Sequence, residues 1–254
     1  MRVAVLQPTY LPWVGYFGMI DAVDTFVFYD DVQFSGQSWQ QRNRIKSGPG
    51  EWMWLSVHIL HQSGQKINEV RINKTSKWRM KHWRSILQSY GTAPGFNLYC
   101  RELEKIYERE WEFLGDLNMT IIRLFCDMMD LRRPLFKRSS ELAGLAGAKT
   151  ERLLDVLEMM GADEYIGNPG SRGYLDVNLF REKGMKVYWF DYQHPVYPQI
   201  HGEFLSYMSA IDLLFNAGER ARDYVREGLK NAFRLDDSFL DREAETSATH
   251  APRI

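Results

Sequence analysis

Short apolar runs alternate along this chain with amphipathic stretches, the pattern of strands and helices in turn. Val3-Ala4-Val5-Leu6 is an unbroken apolar run and reads as a buried strand. The segment from Gln7 to Tyr16 follows as a loop, because Pro8 and Pro12 interrupt both strand and helix. Phe17 to Val23 predicts a short helix, and Phe26-Val27-Phe28-Tyr29 a second strand that ends in Asp30-Asp31-Val32-Gln33. Strand, helix, strand is a βαβ unit, which implies parallel pairing and a right-handed crossover. Trp52 to Ile59 and Glu69 to Ile72 predict further strands, paired as a hairpin across the polar stretch His61 to Gln65.

Between residues 77 and 132 the period changes. Trp78, Met80, His82, Trp83, Ile86 and Leu87 mark a helix that Gly91 ends. Leu103, Ile106, Tyr107, Trp111, Leu114, Leu117, Ile121, Leu124, Phe125 and Met128 recur at spacings of three and four, as one long helix or a close pair requires. Strand and helix then alternate again. Leu135 to Lys137, Glu164 to Gly167 and Met185 to Tyr192 read as strands; Thr150 to Met160, Val177 to Glu182 and Phe204 to Phe215 read as helices. The predicted fold is therefore α/β, with a mostly parallel, Rossmann-like central sheet and a helical insertion over about 77–132. One domain spans 1–235, and 236–254 is expected to be a polar, disordered tail.

Bulk properties narrow the function classes. The net charge is −1 and 26% of the residues are charged, which argues against a general nucleic-acid binder. No apolar window reaches the roughly 20 residues of a membrane span, and the N-terminal apolar run is too short for a signal peptide. Cys100 and Cys126 form no CxxC pair and fit free thiols, so a cytoplasmic location is expected. Aromatic residues reach 14%, enough to build the core and also to line a site that stacks rings.

Candidate chemistry gathers after the predicted strands. Asp30 and Asp31 stand where open α/β sheets keep their sites; either could be a general base toward an amine or a ligand for Mg²⁺, or else a turn aspartate. Strand alternation predicts that only one of the two enters the site, with Gln33 sharing the face of Asp31. Arg42-Asn43-Arg44 and Lys46 form a basic cluster beside Trp39, read as a loop whose guanidinium forks suit carboxylates and phosphates. Arg138-Ser139-Ser140-Glu141 leads to Lys149-Thr150, where a helix starts; Thr150 is the expected N-cap, and Ser139, Ser140 and Lys149 are candidate anion contacts. The loop Gly167 to Tyr174 contributes Ser171 and Tyr174. His194, at a strand end beside Tyr197, is a candidate for proton transfer. His58 and His61 lack the further ligands of a zinc site, so no metal centre is expected. Ser209 and Asp212 share a helix face without the motifs of a hydrolase triad.

Several of these segments together resemble the WbqC-like family: Gln7-Pro8-Thr9-Tyr10-Leu11-Pro12-Trp13-Val14-Gly15-Tyr16-Phe17, Tyr29-Asp30-Asp31-Val32-Gln33-Phe34, Arg42-Asn43-Arg44-Ile45, Arg138-Ser139-Ser140-Glu141-Leu142, Thr150-Glu151-Arg152-Leu153-Leu154, Tyr174-Leu175-Asp176, His194-Pro195-Val196-Tyr197 and Ser209 to Asn216. The resemblance runs in order over residues 3 to 218. It implies a role in bacterial surface-polysaccharide synthesis and a glycyl or other aminoacyl transfer to an amino group of a sugar or sugar nucleotide, from an activated donor that could be aminoacyl-tRNA. Catalysis is then expected from Asp30, Asp31 or His194, with Arg42 and Asn43 holding an anion and Gln7, Tyr10, Trp13 and Tyr16 packing on the substrate. The opening segment also resembles the HIGH-type nucleotidyltransferases, which implies as an alternative a ligase that adenylates a carboxylate with ATP and Mg²⁺. Trp13 and Tyr16 stand where that group has its two histidines. A non-catalytic binding protein of polysaccharide assembly is the third reading.

Overall fold

The computed structural model describes residues 1–239. Strand β1 (Arg2–Leu6) leads through the proline-containing loop to helix α1 (Val14–Asp21) and strand β2 (Thr25–Phe28). An insertion follows: the hairpin β3 (Arg42–Gly48) and β4 (Glu51–Ser56), the small pair β5 (Ile59–Leu60) and β6 (Arg71–Ile72), then helices α2 (Trp78–Tyr90), α3 (Phe96–Glu108) and α4 (Leu114–Met128). The chain continues with β7 (Leu135–Arg138), α5 (Lys149–Met159), β8 (Glu164–Gly167), α6 (Val177–Glu182) and β9 (Lys186–Phe190). Helices α7 (Ala210–Ala217) and α8 (Ala221–Glu227) and strand β10 (Phe233–Leu235) complete the ordered core.

Six strands form the central sheet in the order β10-β9-β8-β1-β2-β7. All its pairings are parallel except β10 on β9. The chain builds outward from β1 to β2 and β7, then crosses back to lay β8, β9 and β10 on the other side of β1. The direction of winding thus reverses between β1 and β8, and in open α/β sheets the crevice beyond the carboxyl ends at such a point receives ligands.

Alternation along the strands separates two cores. Val3 and Val5 of β1 and Val27 of β2 join Leu153, Leu157 and Phe180 beneath α5 and α6. Ala4, Phe26 and Phe28 face the other way, into the larger cluster with Phe17, Phe125, Ile211 and Phe215. Fully burying side chains of this size contributes roughly 1.5–3 kcal/mol each. Among the described residues no helix is long and apolar enough to cross a membrane.

The expected α/β architecture and βαβ opening are present, and the insertion contains the helix and the helix pair that the periodicity predicts. Four local expectations are corrected. Trp52 to Ile59 is not one strand paired with Glu69 to Ile72: β4 pairs with β3, and only Ile59 and Leu60 meet Ile72 and Arg71. Residues 42–46 are not a loop but most of β3, paired with β4 from Arg42↔Ser56 to Lys46↔Trp52. The helix expected from Phe204 begins only at Ala210, where the Ser209 hydroxyl caps it by accepting the Ile211 N–H (3.3 Å). Thr150 does not cap α5: Ala148 is the N-cap, and the Thr150 hydroxyl instead accepts the Asp176 N–H (3.1 Å). Of the predicted tail, residues 236–239 lie against the sheet, with Asp236 accepting the Trp189 indole N–H at 2.6 Å. The expectation for 240–254 falls outside the described residues.

Candidate functional site

Register assembles the site. Phe28 of β2 pairs with Arg138 of β7, so the residues just beyond both carboxyl ends emerge side by side. Arg138 donates from Nε to Asp30 Oδ2 at 2.8 Å. Ser140 donates to the same carboxylate through its backbone N–H (3.0 Å) and its hydroxyl (2.9 Å). The Asp30 N–H in turn donates to Ser139 Oγ at 3.1 Å. The Ser139 hydroxyl donates to Asp31, whose other oxygen is ion-paired with Arg152 from α5. Both adjacent carboxylates therefore converge on Ser139. The predicted alternation does not apply, because Asp30 and Asp31 lie beyond the last residue of β2.

The two carboxylates differ in what they have left to offer. Asp30 is fully buried and surrounded by donors; the side chain of Asp31 keeps 10% exposure. A carboxylate has about four acceptor positions. Ser139 and Arg152 occupy two on Asp31, so it can still accept from a ligand. Arg138 is a tie rather than an anion receptor, since its Nη1 also donates to Asp116 of α4 (3.1 Å). Burial alone would weaken its charge, but Asp30, with Asp116 and Glu141, raises its pKa above the usual arginine value. Burial likewise raises the Tyr29 phenol beside this cluster, with Arg152 and Asp31 acting in opposite directions on it.

The loop after β8 borders the same crevice. Asn168 accepts the Gly170 N–H through its side chain (3.0 Å), and the Ser171 hydroxyl donates to the Asn168 carbonyl (2.6 Å). Ser171 is thus buried and holds the loop, while Tyr174 is 64% exposed. Lys149 is exposed at the start of α5 in a left-handed conformation (φ 52). Gln33 is exposed and bridges to Lys66.

Many residues expected to touch a ligand turn inward. Tyr10 is fully buried, its hydroxyl 2.9 Å from both His82 Nδ1 and the Tyr107 hydroxyl. Tyr16 donates to the Gln7 carbonyl (3.1 Å), whereas the Gln7 side chain stays exposed and accepts from Gln40 (2.7 Å). Asn43 is buried and donates to the Leu11 carbonyl (2.7 Å), pinning a left-handed leucine (φ 45) that would otherwise cost roughly 1–2 kcal/mol. Asn118 of α4 donates to the Pro8 and Gln40 carbonyls (3.1 and 2.7 Å), so the loop after β1 is clamped from two sides. Only Arg42 of its cluster's two predicted contacts points outward, lying 4.4 Å over the Trp54 ring.

His194 lies apart from the two carboxylates, stacked on Trp13 at a centroid distance of 6.2 Å. Its Nδ1 lies 2.8 Å from the Pro195 carbonyl, and its Nε2 accepts the Tyr207 N–H at 3.1 Å. Trp13 lies so close over α1 that a Cβ on Gly15 would come within 2.2 Å of its ring, which is why glycine stands there. Tyr197 donates to buried Asp212 (2.9 Å). Among the described residues there is no group of three or more His, Cys, Asp or Glu side chains that could hold a metal. Two clefts, of about 350 and 490 Å³, lie over the insertion, lined by residues such as His58 and His61 in the first and Lys74 and Trp83 in the second.

Sequence reasoning brought Asp30, Asp31, Ser139 and Ser140 to one place and missed their cations. Arg138 and Arg152 were both visible in their segments, but Arg152 lies 121 residues from Asp31, with no local signal to join the two.

The profile of the WbqC-like protein family matches residues 7–224. A Mycobacterium tuberculosis protein named "Uncharacterized protein Rv1507c" is 37% identical over 228 residues, which span 89% of this chain and 97% of the relative. No solved structure matches the chain.

Proposed function

This chain belongs to the WbqC-like protein family, and from that premise we propose that it is a cytoplasmic transferase that forms an amide bond in surface-polysaccharide biosynthesis. It attaches an aminoacyl group, glycyl in the simplest case, to an amino group of a sugar or sugar nucleotide. The observation that carries this reading is Asp31: a carboxylate with free acceptor positions, fixed by Ser139 and Arg152 beyond the carboxyl ends of β2 and β7, one strand away from the reversal between β1 and β8. An acceptor amine needs such a group. Its nitrogen bonds to the acyl carbon, the donor's leaving group departs with its electron pair, and the surplus proton of the nitrogen passes to Asp31. Asp30, saturated by Arg138 and Ser140, keeps the two loops in register. Ser140 and Tyr174 are exposed on the rim and suit contacts with the sugar.

The reversal between β1 and β8 also favours a second reading, because nucleotides bind at such points. That enzyme would adenylate the carboxylate with ATP and Mg²⁺ before amine attack. Against it, the Trp13 ring is packed on His194 and Tyr192, and the Tyr16 hydroxyl is given to Gln7.

The test is to incubate the protein with an amino-sugar nucleotide and, separately, glycyl-tRNA, a glycyl thioester, or glycine with ATP and Mg²⁺, following the acceptor by mass spectrometry. Amide product from a preactivated donor without ATP is the expected result. Product with ATP alone selects the ligase. Ligand-induced stabilisation with no product from any donor selects a binding protein of polysaccharide assembly.

A further inference from the structure

The hairpin β3–β4 presents a surface that the amide-forming site does not use. Side chains alternate along a strand, so Asn43, Ile45 and Leu55 point into the protein, while Arg42, Arg44, Trp52 and Trp54 share the opposite face. Trp39 joins them from the preceding loop, its ring 5.5 Å from that of Trp54. These three tryptophans keep 49%, 43% and 38% exposure at positions 39, 52 and 54. Indoles in mutual contact and open to water form a patch of the kind that marks interaction surfaces.

The cations in this patch are held by the rings. The Arg44 guanidinium lies 5.7, 5.1 and 5.9 Å from the centroids of Trp39, Trp52 and Trp54, and Arg42 lies 4.4 Å over Trp54. Their hydrogen bonds go to neutral oxygens, Arg42 to Gln37 (2.8 Å) and Arg44 to the Tyr207 carbonyl (3.3 Å). Arg44 Nε is buried with no hydrogen-bond partner, so indole contact and the single bond to Tyr207 hold the guanidinium. Neither arginine forms an ion pair among the described residues. The result is two uncompensated guanidiniums embedded in a rigid aromatic surface.

Such a surface fits a ligand that has weakly polarised C–H faces and carries anions. Pyranose rings present C–H groups to the negative face of an indole, and carboxylates bind guanidinium forks through two oxygens. The inclinations favour separate sugar rings over a base stack: Trp52 and Trp54 are inclined by 86° and Trp39 and Trp54 by 44°, whereas stacked bases need near-parallel platforms. Two cations are also few for tracking a phosphate backbone. We infer that this face docks an acidic oligosaccharide bearing uronic-acid carboxylates. The platform lies beside the carboxyl end of β1, since Gln40, next to Trp39, donates to Gln7 there (2.7 Å). The inference goes beyond the amide-forming reading and does not depend on it.

The test is a calorimetric titration of the whole protein, without any acyl donor. The probes are an oligogalacturonate, a neutral maltooligosaccharide of the same length and a single-stranded RNA oligonucleotide. The expected result is saturable binding of the oligogalacturonate alone, weakened about tenfold in Trp54→Ala and severalfold in an Arg42→Gln, Arg44→Gln double variant. Trp39→Ala, at the most exposed indole, repeats the measurement where a folding defect is least expected, and thermal melts confirm that each variant is folded. Equal binding of the neutral sugar, tighter binding of the RNA, undiminished binding by folded tryptophan variants, or no binding of oligogalacturonate at millimolar concentration each overturns the inference.

Discussion

Asp30 and Asp212 are both fully buried carboxylates with every oxygen engaged, yet they sit in regions of opposite character. Asp212 of α7 accepts from Tyr90 (2.9 Å), Tyr197 (2.9 Å) and Gln199 (2.7 Å), all neutral donors. Burial raises its pKa, opposed by those donors and by the field of Lys46. Lys46 is itself fully enclosed, donating to the Glu203 carbonyl (2.6 Å) and to Gln199 (3.2 Å). The chain neighbours of Asp212, Ile211 and Leu213, are fully buried, and Tyr90, Tyr197 and Lys46 around it are buried too. Asp30 takes a direct cation, Arg138, and its neighbour Asp31 opens on solvent. Burial and a full set of donors thus identify a structural tie in either region. What marks a site is an incompletely satisfied group held beside the tie.

The largest effects should divide along that line. Asp212→Ala leaves two phenols, an amide and a buried lysine without their acceptor, and should cost about 3–5 kcal/mol in chemical denaturation. A loss below about 1 kcal/mol would mean that water replaces the carboxylate and that the region is not closed. Asp31→Asn should do the reverse. Amide formation is expected to fall about 100-fold or more, the range of a lost general base, while stability falls by about 1–2 kcal/mol, less than in Asp212→Ala, because the amide oxygen still accepts a hydrogen bond where the carboxylate did. Comparable losses of stability in both variants would erase the distinction drawn between the two regions.

A second closed cluster sharpens the comparison through pH. Tyr10, His82 and Tyr107 join α2 and α3 to the loop after β1. Burial holds His82 down to about 4 from an ordinary 6.5, despite a hydrogen bond with the Ser56 backbone. A histidine whose folded pKa is depressed contributes stability above its unfolded value and loses it as pH falls toward the folded one. Stability should therefore drop between about pH 6.5 and pH 4, by up to roughly 3 kcal/mol from this residue. Urea melts across that interval, compared with His82→Phe, check it: the variant should show a shallower acid slope.

These contrasts also explain how much was legible in the sequence. The central strands announce themselves because both faces of the sheet are covered, which makes Val3-Ala4-Val5 and Phe26-Val27-Phe28 continuous apolar runs. Their carboxyl ends followed, and with them Asp30, Asp31, Ser139 and Ser140. Strand β3 was hidden because its charges were read as a cluster. The signal was the period of two in Arg42-Asn43-Arg44-Ile45-Lys46, matched by Trp52-Met53-Trp54-Leu55 on the partner strand. Tyr10, Asn43 and Tyr197 could not be assigned, since the groups that grip a ligand are the same ones that satisfy buried backbone and side chains. Arg152 depends on a crossover that brings α5 under β2, a property of topology rather than of local pattern.

The smallest effect concerns His194, whose position after β9 gave it the chemistry of a proton carrier on paper. In the fold its Nε2 already accepts the Tyr207 N–H, so the tautomer carries its proton on Nδ1, where the Pro195 carbonyl receives it. Burial lowers its pKa, only partly opposed by that carbonyl, which keeps the ring neutral near pH 7. A neutral imidazole with both nitrogens occupied has no lone pair for a substrate proton and none to give. Its flat contact with Trp13 instead fixes the aromatic loop against α1. His194→Asn should accordingly change the amide-forming rate by less than about tenfold and cost about 1 kcal/mol of stability. The decisive readout is the pH–rate profile, which should keep its shape in the variant. A limb that disappears with the imidazole would show that the hydrogen bonds to Pro195 and Tyr207 open during turnover, and would extend the site from the two carboxylates across the end of β1 to the aromatic loop.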